Sequence, residues 1–290
     1  MAFGKRKERV AIGFGPDRLR LLVATGNGTL EVRHDDAETL PANALRAGLR
    51  APGFADPEAV EGALRRLIER AREAGHLSAR PELVSVVISD GAVKMGLAPI
   101  EGDSPSRAEG DAMARWVLKD LLPIEPEAAR VDWSILQEER EEGEDGARWL
   151  VSVGADAERV SEIEELVNRF GWSVGRVVPW SFAAALGAGE ASEHGLTLCE
   201  GDGALSCLFE AEGVPRFHRA WRAAVDPAEL GVELPALQRY VADRLEMSTS
   251  RAVLCGPDDW REAAARACDG AGLAAVHVTP SQALTGALAL

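Results

Sequence analysis

Apolar and polar positions alternate through residues 8–36, ERVAIGFGPDRLRLLVATGNGTLEVRHDD, in the rhythm of strand, tight turn, strand, turn, strand. Gly13, Gly15 and Pro16 mark the first turn and Gly26, Asn27 and Gly28 the second, because such residues accept sharp backbone reversals. The apolar period then lengthens to that of a helix. Val60, Leu64, Leu67, Ile68 and Ala71 share one face, with Asp56 as N-cap, Pro57 in the first turn and Gly75 just past the end. Residues 83–88 (LVSVVI) predict a short buried strand, with turn residues Asp90 and Gly91 after it.

A helix over 108–121 carries Met113, Trp116, Val117, Leu118 and Leu121. Strands over 131–137 and 148–154 follow, joined by EEREEGEDG, whose carboxylates have no imposed geometry and read as a solvated hairpin tip. A helix over 156–170 presents Val160, Ile163, Val167 and Phe170 and stops at Gly171. A strand over 173–178 and a short helix over 182–186 end the first half.

The second half opens as the first did, with LTLCEGDGALSCLFEAEGVPRFHRAW, again three strands and two turns. Sliding the first hairpin by 187 positions places Ile12 on Cys199, Leu21 on Leu208 and Gly26 on Gly213 without a gap. A unit that recurs at the start of each half predicts a duplicated, two-lobe α/β architecture. After it come one helix or a pair over 227–247, with Leu237, Val241 and Leu245 in register, and a strand over 252–255. Asp258 or Asp259 then caps a helix through Cys268, a strand covers 276–278, and SQALTGALAL reads as a packed final helix.

Composition narrows the function classes. Of 290 residues, 46% are hydrophobic and 27% charged, an ordinary globular balance with enough chain for two lobes. The formal net charge of -15 disfavours nucleic acid and anionic membrane surfaces, both of which are bound through Lys and Arg. MAFGKRKERV is basic but leads into no apolar run with a cleavage site, and no stretch reaches the roughly 20 apolar residues that span a bilayer. Cys199, Cys207, Cys255 and Cys268 show no CxxC pairing and read as buried reduced thiols, so a cytoplasmic location is expected.

Candidate chemistry is thin. His34, His76, His194, His218 and His277 are scattered without ligand spacing, and no Walker A lysine, Gly-x-Ser-x-Gly elbow or zinc signature occurs. Ser89-Asp90 lies at a strand end, where catalytic groups can sit, but a simple turn accounts for it. The seven tryptophans read as core or interface aromatics. Asp17, Glu200 and Asp202 could hold Mg²⁺ through oxygen, although Asp also dominates turns for purely local reasons, and the turn reading is favoured.

Two glycine-turn hairpins facing each other across a cleft are how the actin-like ATPase fold grips a nucleotide, and several segments carry a more specific likeness. VAIGFGPDRLRLLVA, LPANALRAG with FADPEAVEGALRRLI, VVISDGAVKMGLAPI, WVLKDLLPIEPEAARVDWSIL and RWLVSVGADAERVSEIEELVNRFGWSVGRVVPWSFAAALGAG appear in order. Together they resemble the PilM family, the actin-like cytoplasmic component of type IV pilus assembly. The resemblance covers most of residues 9–221. It implies an actin-like, ribonuclease H-like duplicated fold: a first lobe over 1–190 with an inserted α+β subdomain at about 92–155, and a shortened second lobe over 191–290.

The resemblance also defines a vestigial nucleotide site at Gly13, Gly15, Asp17, Glu200, Asp202, Gly203 and Gly256. Where the family carries an aspartate in the first turn this chain has Gly13, and Pro16 replaces a hydroxyl residue. In the second turn Glu200 can stand for the acid, while Asp202 sets a negative charge where phosphate would approach. The adenosine turn reads Gly256-Pro257-Asp258, and Pro257 lacks an N–H. The segment between Trp221 and Ala252 is too short for the family's second-lobe cap.

These departures imply a scaffold without ATP hydrolysis and with no cofactor. It would bind the cytoplasmic tail of a single-pass inner-membrane partner between the first lobe and the insert, peripheral to the membrane through that partner, with a homo-oligomer left open. The alternative is an actin-like ATPase that takes ATP and Mg²⁺ in the interlobe cleft, with Asp17 and Glu200 holding the metal.

Overall fold

The opening meander folds as its alternation predicts. β1 (Glu8–Phe14), β2 (Arg18–Thr25) and β3 (Glu31–Thr39) pair antiparallel in sequence order. The structure, a computed structural model, describes residues 8–15, 17–26, 29–46, 48–49, 53–77, 81, 84–137, 146–192, 194–200, 205–212, 214–221 and 227–289. α1 (Pro57–Glu73) starts where Asp56 accepts a hydrogen bond from the Ala59 N–H at 3.0 Å. Its buried face, Val60, Leu64, Leu67, Ile68 and Ala71, packs on Val10, Ile12, Leu21 and Val23 of the sheet.

β4 (Val84–Ile88) lies parallel to β1. The chain then leaves for a separate sheet built from β5 (Val93–Ile100), β6 (Ala129–Gln137) and β7 (Arg148–Asp156), ordered β5-β7-β6. α2 (Arg107–Leu118) covers this sheet and opens with a capping box between Ser106 and Glu109. The acidic tip at 138–145 lies outside the described residues. α3 (Ala157–Asn168), capped by Asp156, returns the chain to β8 (Val174–Pro179), which completes the order β3-β2-β1-β4-β8. α4 (Trp180–Ala188) leads to the second half and is longer than the 182–186 expected.

The second sheet repeats the wiring of the first. β9 (Gly195–Glu200), β10 (Leu205–Ala211) and β11 (Val214–Ala220) form the meander, and α5 (Pro227–Leu245) is a single helix with Pro235 inside it. β12 (Arg251–Cys255), α6 (Asp258–Gly270), β13 (Ala274–Val278) and α7 (Pro280–Ala289) follow, giving the order β11-β10-β9-β12-β13. The expected aspartate cap of α6 does not form. Pro257 holds the N-cap position with no side-chain hydrogen bond, and both aspartates lie in the first turn.

One expectation is corrected by strand register. The offset of 187 maps Ile12, on the α1 face of its sheet, onto Cys199, which faces the other lobe. A slip of one residue turns every side chain to the opposite face. An offset of 186 keeps the faces and the pairing: Phe14↔Leu19 becomes Glu200↔Leu205, and Ile12↔Leu21 becomes Leu198↔Cys207. Ile12 and Leu198 then both point into their own lobe's core. The Gly26–Gly213 match falls away, since Ala211 pairs with Val214 across a tighter turn than Thr25 with Glu31.

The lobes meet through α4 and α7. Ala183, Ala184, Ala283, Leu284 and Ala287 form an apolar layer with Ala11 and Leu22 on one side and Cys199 and Val253 on the other. A Cβ on Gly286 would come within 2.4 Å of the Gly187 backbone nitrogen, so the helices touch backbone to backbone. No described helix is long and apolar enough to cross a membrane.

Candidate functional site

The C-terminal ends of β1, β9 and β12 converge on a cavity of about 520 Å³ between the lobes. Gly13, Gly15, Asp17, Glu200 and Gly256 all line it. Asp202, Gly203 and Pro16 lie outside the described residues. Crevices at the carboxyl ends of strands are where α/β sheets take ligands. What fills the floor of this one has no signal in the sequence.

That floor is an indole. Trp180, the first residue of α4, is buried and donates from Nε1 to the Phe14 carbonyl at 2.9 Å. A Cβ built on Gly13 would stand 2.8 Å from the Trp180 ring and 3.1 Å from Leu284. Gly13 is therefore glycine because Trp180 and α7 occupy the space of a side chain. The first turn is satisfied internally as well: the Gly15 N–H donates to the Arg18 carbonyl at 2.9 Å instead of facing the cleft. Gly256 is packed equally closely, its would-be Cβ 2.9 Å from Trp260 and 3.0 Å from the Glu200 carbonyl. Its own carbonyl accepts from Arg261 Nε at 3.1 Å.

Register also changes the reading of Glu200. With the meanders superposed at 186, the counterpart of Gly13 is Cys199, and Glu200 corresponds to Phe14. The inner-facing strand position thus carries a glycine in one lobe and a thiol in the other, with no carboxylate at either. Cys199 pairs in register with Cys255 on the parallel neighbour β12. Burial, and then the adjacent Cys255, push the Cys199 thiol well above the ordinary value. Neutral sulfur and indole make an apolar floor. All four cysteines are free and buried.

The rim is polar but committed. Arg20 pairs with Asp35 at 2.8 Å and reaches Ser281 at 3.1 Å, while the Asp17 carbonyl accepts from the Leu40 N–H at 2.7 Å. Among the described residues no three His, Cys, Asp or Glu side chains converge as a metal site would require.

A second cavity, of about 660 Å³, opens on the other side of the β1–β2 turn. It lies between the end of β1, the loop around the Leu45–Phe54 bridge, the end of β4 and the first half of α3. Phe14 and Phe54 stack there with ring centroids 5.8 Å apart, and Leu45, Ile88 and Ile163 extend the apolar wall. Asp17 and Glu162 supply carboxylates at its edge, Glu162 accepting from the Gly53 N–H at 2.6 Å. Arg159 donates to the Arg46 carbonyl at 2.6 Å and pins the loop to α3. Phe14 faces this groove while Gly13 faces the cleft, so one turn walls both cavities.

Ser89 behaves as the turn residue it was read to be, its Oγ accepting from the Gly91 N–H at 3.1 Å. Asp90 and His218 do not stay local. They meet inside the protein 3.0 Å apart, an encounter that no sequence spacing signals.

No protein-family model matches the sequence, and no curated protein matches it. Solved structures do. A chain of the PilM-PilN type IV pilus biogenesis complex aligns with a TM-score of 0.76 at 19% identity, over 98% of each chain. The cytoplasmic domain of EpsL, an inner-membrane component of the type II secretion system of Vibrio cholerae, gives 0.55 at 15% identity, over 97% of this chain and 94% of that one. A Bacteroides thetaiotaomicron protein of unknown function with an actin-like ATPase fold gives 0.55 at 12% identity, over 100% and 99%. The chain has the actin-like fold, with PilM-like architecture over nearly its full length.

Proposed function

We propose that this protein is a cytoplasmic scaffold of a type IV pilus-like envelope machine. It holds the cytoplasmic tail of an inner-membrane partner in the groove beside Phe14 and Phe54 and does not hydrolyse ATP. The observation that carries this reading is the state of the two cavities that share the β1–β2 turn. The interlobe cleft is floored by Trp180 packed on Gly13, where a phosphate-gripping turn needs open backbone N–H groups. The neighbouring groove has what a short peptide needs: an apolar wall with a few fixed polar groups at its edge. Its place between the first lobe and the root of the insert agrees with the position implied by the PilM resemblance.

The fold likeness to a chain of a PilM-PilN complex and to EpsL supports this class of machine. The net charge of -15 favours a basic or amphipathic tail by complementarity. Synthetic tails of single-pass membrane proteins encoded beside this gene, tested without nucleotide, check the proposal. One of them is expected to bind, and Phe54→Asp is expected to weaken it about tenfold or more, as truncating a central anchor does. Failure of every such tail to bind would overturn the scaffold assignment.

A further inference from the structure

Asp90, Ser181 and His218 come from three parts of the chain and meet in the interior. Asp90 opens the 3-10 turn Asp90–Ala92, where the chain leaves β4 for the inserted sheet. Ser181 lies in the first turn of α4, the helix that passes from one lobe to the other, and His218 sits midway along β11. The Ser181 N–H donates to the two Asp90 oxygens at 3.1 and 3.3 Å, the Ser181 hydroxyl donates to Oδ1, and His218 Nε2 lies 3.0 Å from that same atom. The side chains of His218 and Asp90 are only 2% and 6% exposed.

Pro179 gives α4 no side-chain cap. Asp90 supplies one from outside the helix, and the positive end of the helix dipole favours its charge. The cluster is not a nucleophile and its base. The carboxylate sits in the middle, so no imidazole reaches the serine hydroxyl as nucleophilic catalysis requires. Its consequence is mechanical. Separating His218 from Asp90 leaves a buried carboxylate short of a donor, which is penalised far more heavily than losing an exposed pair.

We propose that Asp90, Ser181 and His218 form a latch that fixes the second lobe on the root of the insert and holds the interlobe cleft at one width. An apolar seam of Met95, Val151, Leu208 and Val214 joins the same two bodies. Apolar contact is non-directional and permits sliding. The hydrogen-bonded carboxylate is directional and does not. Beside the α4–α7 layer, this cluster adds a directional tie between the second lobe and the root of the insert, whatever occupies the groove.

The cysteines report on this directly, because Cys199 and Cys255 line the cleft while Cys207 and Cys268 lie in the second-lobe core. The experiment measures alkylation of each thiol by N-ethylmaleimide, using peptide mass spectrometry on the folded full chain. His218→Phe keeps a ring against Phe182, its neighbour at 6.0 Å, but removes the donor. It is expected to speed alkylation of Cys199 and Cys255 about tenfold, with Cys268 unchanged, because opening is local. His218→Gln retains an N–H donor and is expected to restore the slow rate. Should His218→Phe not fold, Asp90→Asn/His218→Phe removes the charge together with its partner and must show the same selective rise. Unchanged rates, or an equal rise at all four thiols, would overturn the latch.

Discussion

A methyl group added at Gly13 would stand 2.8 Å from the Trp180 ring, with Leu284 at 3.1 Å behind it. Both neighbours are buried. Gly13→Ala is therefore expected to destabilise the protein by about 1–3 kcal/mol, the usual penalty for overpacking. Gly13→Asp, which restores the carboxylate the PilM resemblance leads one to expect, should destabilise more, because it also buries a charge. Denaturant unfolding of the three proteins checks this, and a neutral Gly13→Ala would show that the glycine answers to something other than Trp180. The glycine itself was legible in the sequence as a turn signal. Its partner was not, since Trp180 lies 167 positions away and only the packing of α4 under β1 brings them together.

Between elements, the two interlobe helices show how far local preference reaches. Alanine is a better helix former than glycine by about 1 kcal/mol, and Gly187 and Gly286 both lie within helices. Yet a Cβ on Gly286 would meet the Gly187 nitrogen at 2.4 Å and the Ala183 carbonyl oxygen at 2.5 Å. Gly286→Ala is thus expected to lower the unfolding midpoint although it raises helix propensity; a raised midpoint would show that α4 and α7 do not cross in backbone contact. Strands and helices were legible because alternation and helical period are local signals, and Asp56 caps as read. The Ser106 and Asp156 caps were not read from the sequence, and the aspartate cap expected for α6 does not form. Register was not legible. Two meanders with similar turns align equally well at 186 or 187 until their faces are known, and that one residue decides whether Glu200 or Cys199 stands opposite Gly13.

For the whole molecule, the duplicated sheets, the insert and the cleft followed from the order of motifs, and five of the residues named from sequence line one cavity. What the sequence could not convey is that Trp180, Cys199 and Cys255 line the cleft, or that Phe14 and Phe54 stack in the adjoining groove. On the proposed reading the interlobe cleft is a structural junction that takes no nucleotide. Isothermal titration of the full chain with Mg-ATP is the decisive measurement. No saturable heat is expected at millimolar nucleotide, whereas saturable binding that Glu200→Ala abolishes would overturn this reading.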